Sequence, residues 1–138
     1  MTLQTALTEE MSESIVSAVR TSLGDTLRSV VYFTPSNFDV LYTRQGLYES
    51  THTVREAKSQ LVEFERTGFA EGPVRTMLAQ REDGTDIGAY EFTVRFHEDG
   101  FVVRILRGDA GVLFTTDSMD VNAFEDAASA LTGLLAEE

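Results

Sequence analysis

Arg95, His97, Arg104 and Thr115 are the side chains in this sequence whose types and spacing could do chemistry, and that chemistry is recognition of a small anion. Residues two apart on a strand point to the same side. In the alternating run AYEFTVRF and the residue after it, Glu91, Thr93, Arg95 and His97 therefore share one face. A two-residue turn centred on Asp99-Gly100 would set Arg95 opposite Arg104 and Glu98 opposite Phe101 in the next run, FVVRILR, and a four-residue loop keeps the same facial parity. Leu113 and Thr115 join this face if the following hairpin keeps parity as well. Tyr90, Phe92, Val94, Phe96, Phe101, Val103 and Ile105 then form the core face. Two like charges across a ladder are unfavourable, so the arginines call for an acidic answer. Glu91, Glu98 or a helix carboxylate would supply it internally; a partner's carboxylate or a small anion would supply it from outside.

Other chemistry finds little support. His52 and His97 stand in different segments with no HxxxH or HExxH spacing, so no metal site is expected. There is no GxSxG, GxGxxG or GxxxxGK pattern and no cysteine, which removes the nucleophile elbow, the phosphate-cradling loops, thiolate sites and disulfides. Asp117, Asp120, Glu125 and Asp126 cluster where the last helix begins, a place where carboxylates complement the helix dipole, and they lack the spacing of a calcium loop. Tyr32, Tyr42 and Tyr90 read as core-edge residues with wet hydroxyls. General acid-base chemistry by His97 is the one catalytic form left. The expectation is a protein without cofactor, metal or enzymatic activity.

The elements that must position these side chains are legible in order. Thr8 caps an apolar stripe of Met11, Ile15, Val16, Val19 and Leu23 that Gly24 closes. Residues 27–34 (LRSVVYFT) and 38–43 (FDVLYT), split by Pro35-Ser36-Asn37, predict a hairpin. Thr53 and Glu56 have the capping-box spacing for a second helix over 53–66, with Gly68 as its stop. Residues 74–80 read as a strand leading into Glu82-Asp83-Gly84. The runs 89–96, 101–107 and 112–116 follow, separated by Glu98-Asp99-Gly100 and by Gly108-Asp109-Ala110-Gly111, whose glycines read as turn residues. Val121, Phe124, Ala128, Leu131 and Leu135 form the last helix, with Asp117-Ser118 as candidate caps. Helix, two strands, helix, three or four strands and helix predict one α+β domain over residues 1–138: an antiparallel five- or six-stranded meander with three helices, in two or three layers.

Composition describes an environment more than a reaction. The 138 residues hold 23 carboxylates against 11 lysines and arginines, a net charge of −12, and Lys58 is the single lysine. In molar salt the Debye length falls to about 3 Å, so such a surface stays hydrated while its self-repulsion is screened; in dilute buffer that repulsion destabilises the compact state. A halophile's cytoplasmic protein is expected. Phosphate backbones need clustered cations, which argues against nucleic acid. No basic start followed by an apolar run marks a signal peptide, and no stretch reaches the ~20 apolar residues of a membrane span.

The element order resembles the profilin-like and roadblock (dynein light-chain) architecture. The run GAYEFTVRFHEDGFVVRILRGDAGVLFTTD with FEDAASALTGLL, and LGDTLRSVVYFTPSNFDVLYTR upstream, resembles a family of small haloarchaeal proteins across almost the whole chain. That resemblance implies a halophilic archaeal source and transfers no activity, ligand or catalytic residue. The expected role is a non-enzymatic regulatory or scaffolding domain working through protein contacts as a homodimer. The alternative is a small-ligand sensor that reads an anion with Arg95, Arg104, His97 and Thr115 in a pocket between sheet and helices.

Overall fold

The computed structural model describes residues 3–47, 50–79 and 87–136, without the side chains of 51, 52, 78 and 79, so the His52 side chain lies outside it. The Thr8 hydroxyl accepts the Met11 N–H at 3.1 Å and opens α1 (Glu9–Leu23), which Gly24 closes with φ +60°. Ile15, Val19 and Leu23 are buried on one side of it. One 3₁₀ turn (Gly24–Thr26) leads into β1 (Leu27–Phe33) and β2 (Phe38–Thr43), an antiparallel hairpin whose turn is tied by Thr34 N–H donating to the Asn37 carbonyl at 2.8 Å.

The middle of the chain departs from expectation. α2 (Thr51–Glu65) begins earlier than the Thr53 box suggests, because the Ser50 hydroxyl accepts the Thr53 N–H at 3.1 Å. Gly68 does not stop it: after Arg66 the chain re-enters a helix, α3 (Thr67–Ala79), with Gly68 inside its first turn. The strand expected over 74–80 is thus helical through Ala79, and residues 80–86, with the Asp83-Gly84 turn, lie outside the described residues. Tertiary contacts override the β-branched Val74 and Thr76 and even Pro73, whose missing N–H costs a helix interior about 3 kcal/mol. The Phe69 ring packs edge-on against Phe33 at 5.5 Å and Glu71 accepts from Arg104 at 3.3 Å, while within the helix Arg75 bonds Glu71 at 3.1 Å and the Gly68 carbonyl at 3.2 Å.

β3 (Thr93–His97), β4 (Gly100–Arg107) and β5 (Ala110–Thr116) form the expected meander, with Gly108 at φ +60° in its second turn and Gly111 inside β5 rather than in that turn. α4 (Val121–Ala136) is capped by Asp120, whose carboxylate accepts the Ala123 N–H at 3.1 Å, and not by Asp117-Ser118. Asp117 instead takes Arg28 at 3.1 Å and Arg44 at 2.6 Å, joining the ends of β1, β2 and β5.

The sheet runs β2-β1-β5-β4-β3, antiparallel throughout. One face buries Val30, Tyr32, Val103, Ile105, Val112 and Phe114 beneath α1 and α4. The other sets Val31, Phe33, Phe38, Val102 and Leu113 against Val62 of α2 and Phe69 of α3. The result is a three-layer α+β domain, the fold class the sequence predicts. No helix among the described residues is long and apolar enough to cross a membrane.

Candidate functional site

The inner face of α2 is where the chain's charges enter the interior. Val54, Lys58, Val62 and Glu65 recur at spacings of four, four and three, one stripe of a helix, and all four are buried. Two of them are ionisable. Glu65 is fully enclosed and Lys58 is 3% exposed.

At the Glu65 end the arrangement is a closed network. Arg95 Nε donates to Glu65 Oε2 at 2.7 Å, and Arg104 Nη1 donates to Glu65 Oε1 at 3.2 Å and to the Glu65 carbonyl at 3.3 Å. Arg104 Nη2 reaches Thr93 Oγ1 at 3.0 Å and both the Tyr90 hydroxyl and Glu71 Oε1 at 3.3 Å. Burial by itself lowers the pKa of the Arg104 guanidinium, but the Tyr90 hydrogen bond and the charges of Tyr90, Glu65 and Glu71 together hold it above its ordinary value. Gly68 makes the approach possible, because a Cβ there would stand 2.6 Å from Arg104 Cζ and 2.7 Å from Leu106 Cδ1.

The register corrects the expected pairing while keeping its faces. The two turn residues are Glu98 and Asp99, so His97 stands opposite Gly100, Arg95 opposite Val102, and Thr93, not Arg95, opposite Arg104. The arginines still share the α2/α3 face, and the acidic answer is a helix carboxylate, Glu65. Tyr90 leaves the expected core face: β3 begins only at Thr93, so strand parity does not reach it, and its ring lies 4.7 Å beneath Arg75. Phe96 is 73% exposed for a related reason, since it lies on the edge strand, where it meets Phe101 edge-on at 5.0 Å.

At the Lys58 end lies an open pocket of about 300 Å³, walled by Lys58 and Leu61 of α2, Arg28 of β1, His97 of β3, Gly100 and Thr115. The structure therefore divides the four residues singled out in the sequence. Arg95 and Arg104 belong to the Glu65 network; His97 and Thr115 belong to the Lys58 pocket. Sequence reasoning missed the parts played by Glu65, Lys58 and Arg28. The signal for the first two was present, as charged residues on the stripe set by Val54 and Val62. Among the described residues no group of three or more His, Asp or Glu could hold a metal ion.

The third feature is the free side of β3. Among the described residues this strand pairs with β4 alone, and beside it runs a groove of about 630 Å³ between α2 and β3, flanked by Phe64, 59% exposed, and Phe96. Arg95 lies 4.6 Å over the Phe64 ring.

Among solved structures the chain is similar to the gliding protein MglB of Thermus thermophilus (14% identity, all of both chains covered, TM-score 0.61). It is similar too to MglB in a tetrameric arrangement (15%, 99% and 98% covered, 0.58) and to Myxococcus xanthus MglB (11%, 96% of each, 0.57). At these identities the likeness shows the fold alone, a roadblock-like α+β sandwich. None of the curated proteins matches the chain. Residues 13–136 match the family described as "Domain of unknown function (DUF7522)", and the chain belongs to that family.

Proposed function

We propose that this chain is a non-enzymatic regulatory or scaffolding domain that acts through protein contacts, and that it assembles as a homodimer across the β3 edge. The observation that carries this reading is the apolar flank of an edge strand. β3 presents its outer backbone edge beside Phe96 and Phe64, a combination that templates pairing with another strand. The opposite edge is tied down: Asp39 of β2 accepts the N–H groups of Gln4 at 2.6 Å and Thr5 at 2.8 Å, and Asn37 Nδ2 donates to the Gln4 carbonyl. A second copy laid antiparallel along β3 continues the sheet through a two-fold axis and brings the two α2 helices together, with the same patch used on both sides. The tetrameric arrangement of MglB supports assembly as a use of this fold.

Light scattering in molar KCl should return about twice 15.3 kDa, and Phe96→Glu should return 15.3 kDa with an unchanged circular dichroism spectrum. Wild-type protein at 15.3 kDa, at tens of micromolar, overturns the reading. The acidic composition supports a salt-rich cytoplasm, that of a halophilic archaeon, as the working environment. Thermal stability should accordingly rise from dilute buffer to molar KCl; a flat or falling melting temperature removes that part.

A further inference from the structure

We infer that the two copies meet across the β3 edge in one register, with Val94 on the two-fold axis and Glu91 of each copy answering Arg95 and His97 of the other. The inference rests on the homodimer proposed above and names the contacts that fix it. Among the described residues, two opposite charges beside this edge have bonding capacity to spare. Arg95 commits its Nε to Glu65 at 2.7 Å, and its Cζ lies 4.6 Å from the centre of the Phe64 ring; its two Nη groups make no hydrogen bond, and the side chain is 31% exposed. Glu91 is exposed and makes no hydrogen bond or ion pair. Phe92 packs against the same core as Val94, so strand alternation runs back past Thr93 and sets Glu91 on the Arg95 side. Four residues of extended chain hold the two charges about 13 Å apart, too far to meet within one copy. A carboxylate and a guanidinium so placed are complementary to the same strand reversed, which is what a two-fold interface requires.

The residue on the axis fixes every other contact, because facing side chains in an antiparallel pair must come from the same side of the sheet. Arg95 on the axis would face its own copy, and Glu91 would face Asp99, like charges that are unfavourable across a ladder. Phe96 on the axis would set Arg95 against His97 and Val94 against Glu98, and His97 there would draw the β3–β4 turn into the pairing. Thr93 on the axis would set Arg95 against Glu91 but Phe96 against Tyr90, whose ring is held beneath Arg75, so Phe96 would stay uncovered. Val94 on the axis has none of these faults. Phe92 then faces Phe96 on both sides of the axis, which covers a ring 73% exposed in the single copy and gains the preference of aromatic rings for one another. Arg95 faces Thr93, and Glu91 faces His97 with Arg95 on the diagonal, within reach of a long side chain. The chain's own turn carboxylates, Glu98 and Asp99, bond neither Arg95 nor His97.

The chain has no cysteine, so a single introduced thiol reports on its own image across the axis. Val94→Cys protein that is dimeric in molar KCl should form a disulfide between copies on mild oxidation, since directly opposed residues stand about 5.5 Å apart or less at Cα. Thr93→Cys should not, because its image lies two residues from the facing position, beyond the ~7 Å that a disulfide spans. Glu91→Arg should weaken the dimer at least about threefold with an unchanged circular dichroism spectrum. A dimer that crosslinks through Thr93→Cys in place of Val94→Cys, or through neither, or a Glu91→Arg dimer of wild-type affinity, overturns the register and leaves the homodimer standing. Wild type at 15.3 kDa overturns the homodimer itself, and the register with it. Should Val94→Cys fail to fold, nuclear Overhauser contacts in dimers mixed from labelled and unlabelled wild type decide. Contacts between the two Val94 backbones support the register, and contacts between the two Thr93 or the two Arg95 backbones overturn it.

Discussion

The two ends of the α2 inner face bury opposite charges in different surroundings. Glu65 meets two guanidinium groups, and a threonine and a tyrosine hydroxyl stand around the second of them, all within hydrogen-bond reach. Lys58, seven residues earlier on the same stripe, looks onto an open pocket shared with a second cation and a histidine. The closed end acts as a clamp that ties α2, α3, β3 and β4 together. Buried charge is therefore no single signal in this protein: at one end the chain packs around it on all sides, and at the other an open pocket adjoins it.

The largest effect should come from removing the shared carboxylate. Glu65→Leu leaves Arg104 enclosed without its principal counter-charge, and breaking a buried pair in this way costs about 3–5 kcal/mol. Urea denaturation at fixed salt measures it, and a loss below about 1 kcal/mol would erase the difference between the two ends. Gly68→Ala should come next, at about 1–3 kcal/mol, since its Cβ would press on both Arg104 and Leu106. A neutral result would mean that the Arg104 side chain can withdraw without loss, and that the clamp is loose.

Lys58→Met is the counterpart at the open end. Replacing this ammonium, which adjoins an open pocket, by an apolar chain of similar length should cost less than removing Glu65. A cost as large as that of Glu65→Leu would make the Lys58 end a second clamp and erase the difference between the two ends.

The smallest effect belongs to the exposed Asp117, which supplies the scale for an ion pair outside the core. Its hydrogen bond to Arg44 comes first among the causes that hold its carboxyl below the ordinary value; burial works against it, and Arg28 assists. A carboxylate whose folded pKa is lowered adds stability above its unfolded pKa and loses that stability as pH falls through the folded one. Wild type minus Asp117→Asn should therefore be constant near neutrality and shrink below about pH 4. With the side chain 40% exposed, the plateau should not exceed about 1 kcal/mol. A difference that grows on acidification would contradict the assigned direction.

How much of this was legible depends on the range of the interactions involved. Thr8 and Gly24 bounded α1 because a cap and a stop are decided within one turn of chain. The facial parity of Arg95, Arg104, Leu113 and Thr115 was legible because strand side chains alternate and both hairpins are short, even though the cross-strand partners were set two residues apart from those expected. Residues 74–79 were not legible as helix. Val74, Thr76 and Pro73 favour extended chain locally, and they lie in a helix whose first turns are held from outside, Phe69 by Phe33 and Glu71 by Arg104, while Arg75 reaches back within the helix to the Gly68 carbonyl.

By itself, then, the sequence determined the α+β class, the order of most elements, the acidic surface and the face on which its chemistry-bearing side chains lie. Each follows from composition or from a period of two or 3.6 residues, and needs no knowledge of distant partners. Only the tertiary structure decided that Glu65 claims Arg95 and Arg104, that His97 and Thr115 join Lys58 and Arg28 instead, and that β3 is left at the edge with Phe96 exposed. Charge pairing is settled by which helix crosses which strand, over separations of 30 and 39 residues for Glu65 and its arginines. At that range local preference says only that a partner is required, and packing chooses which one.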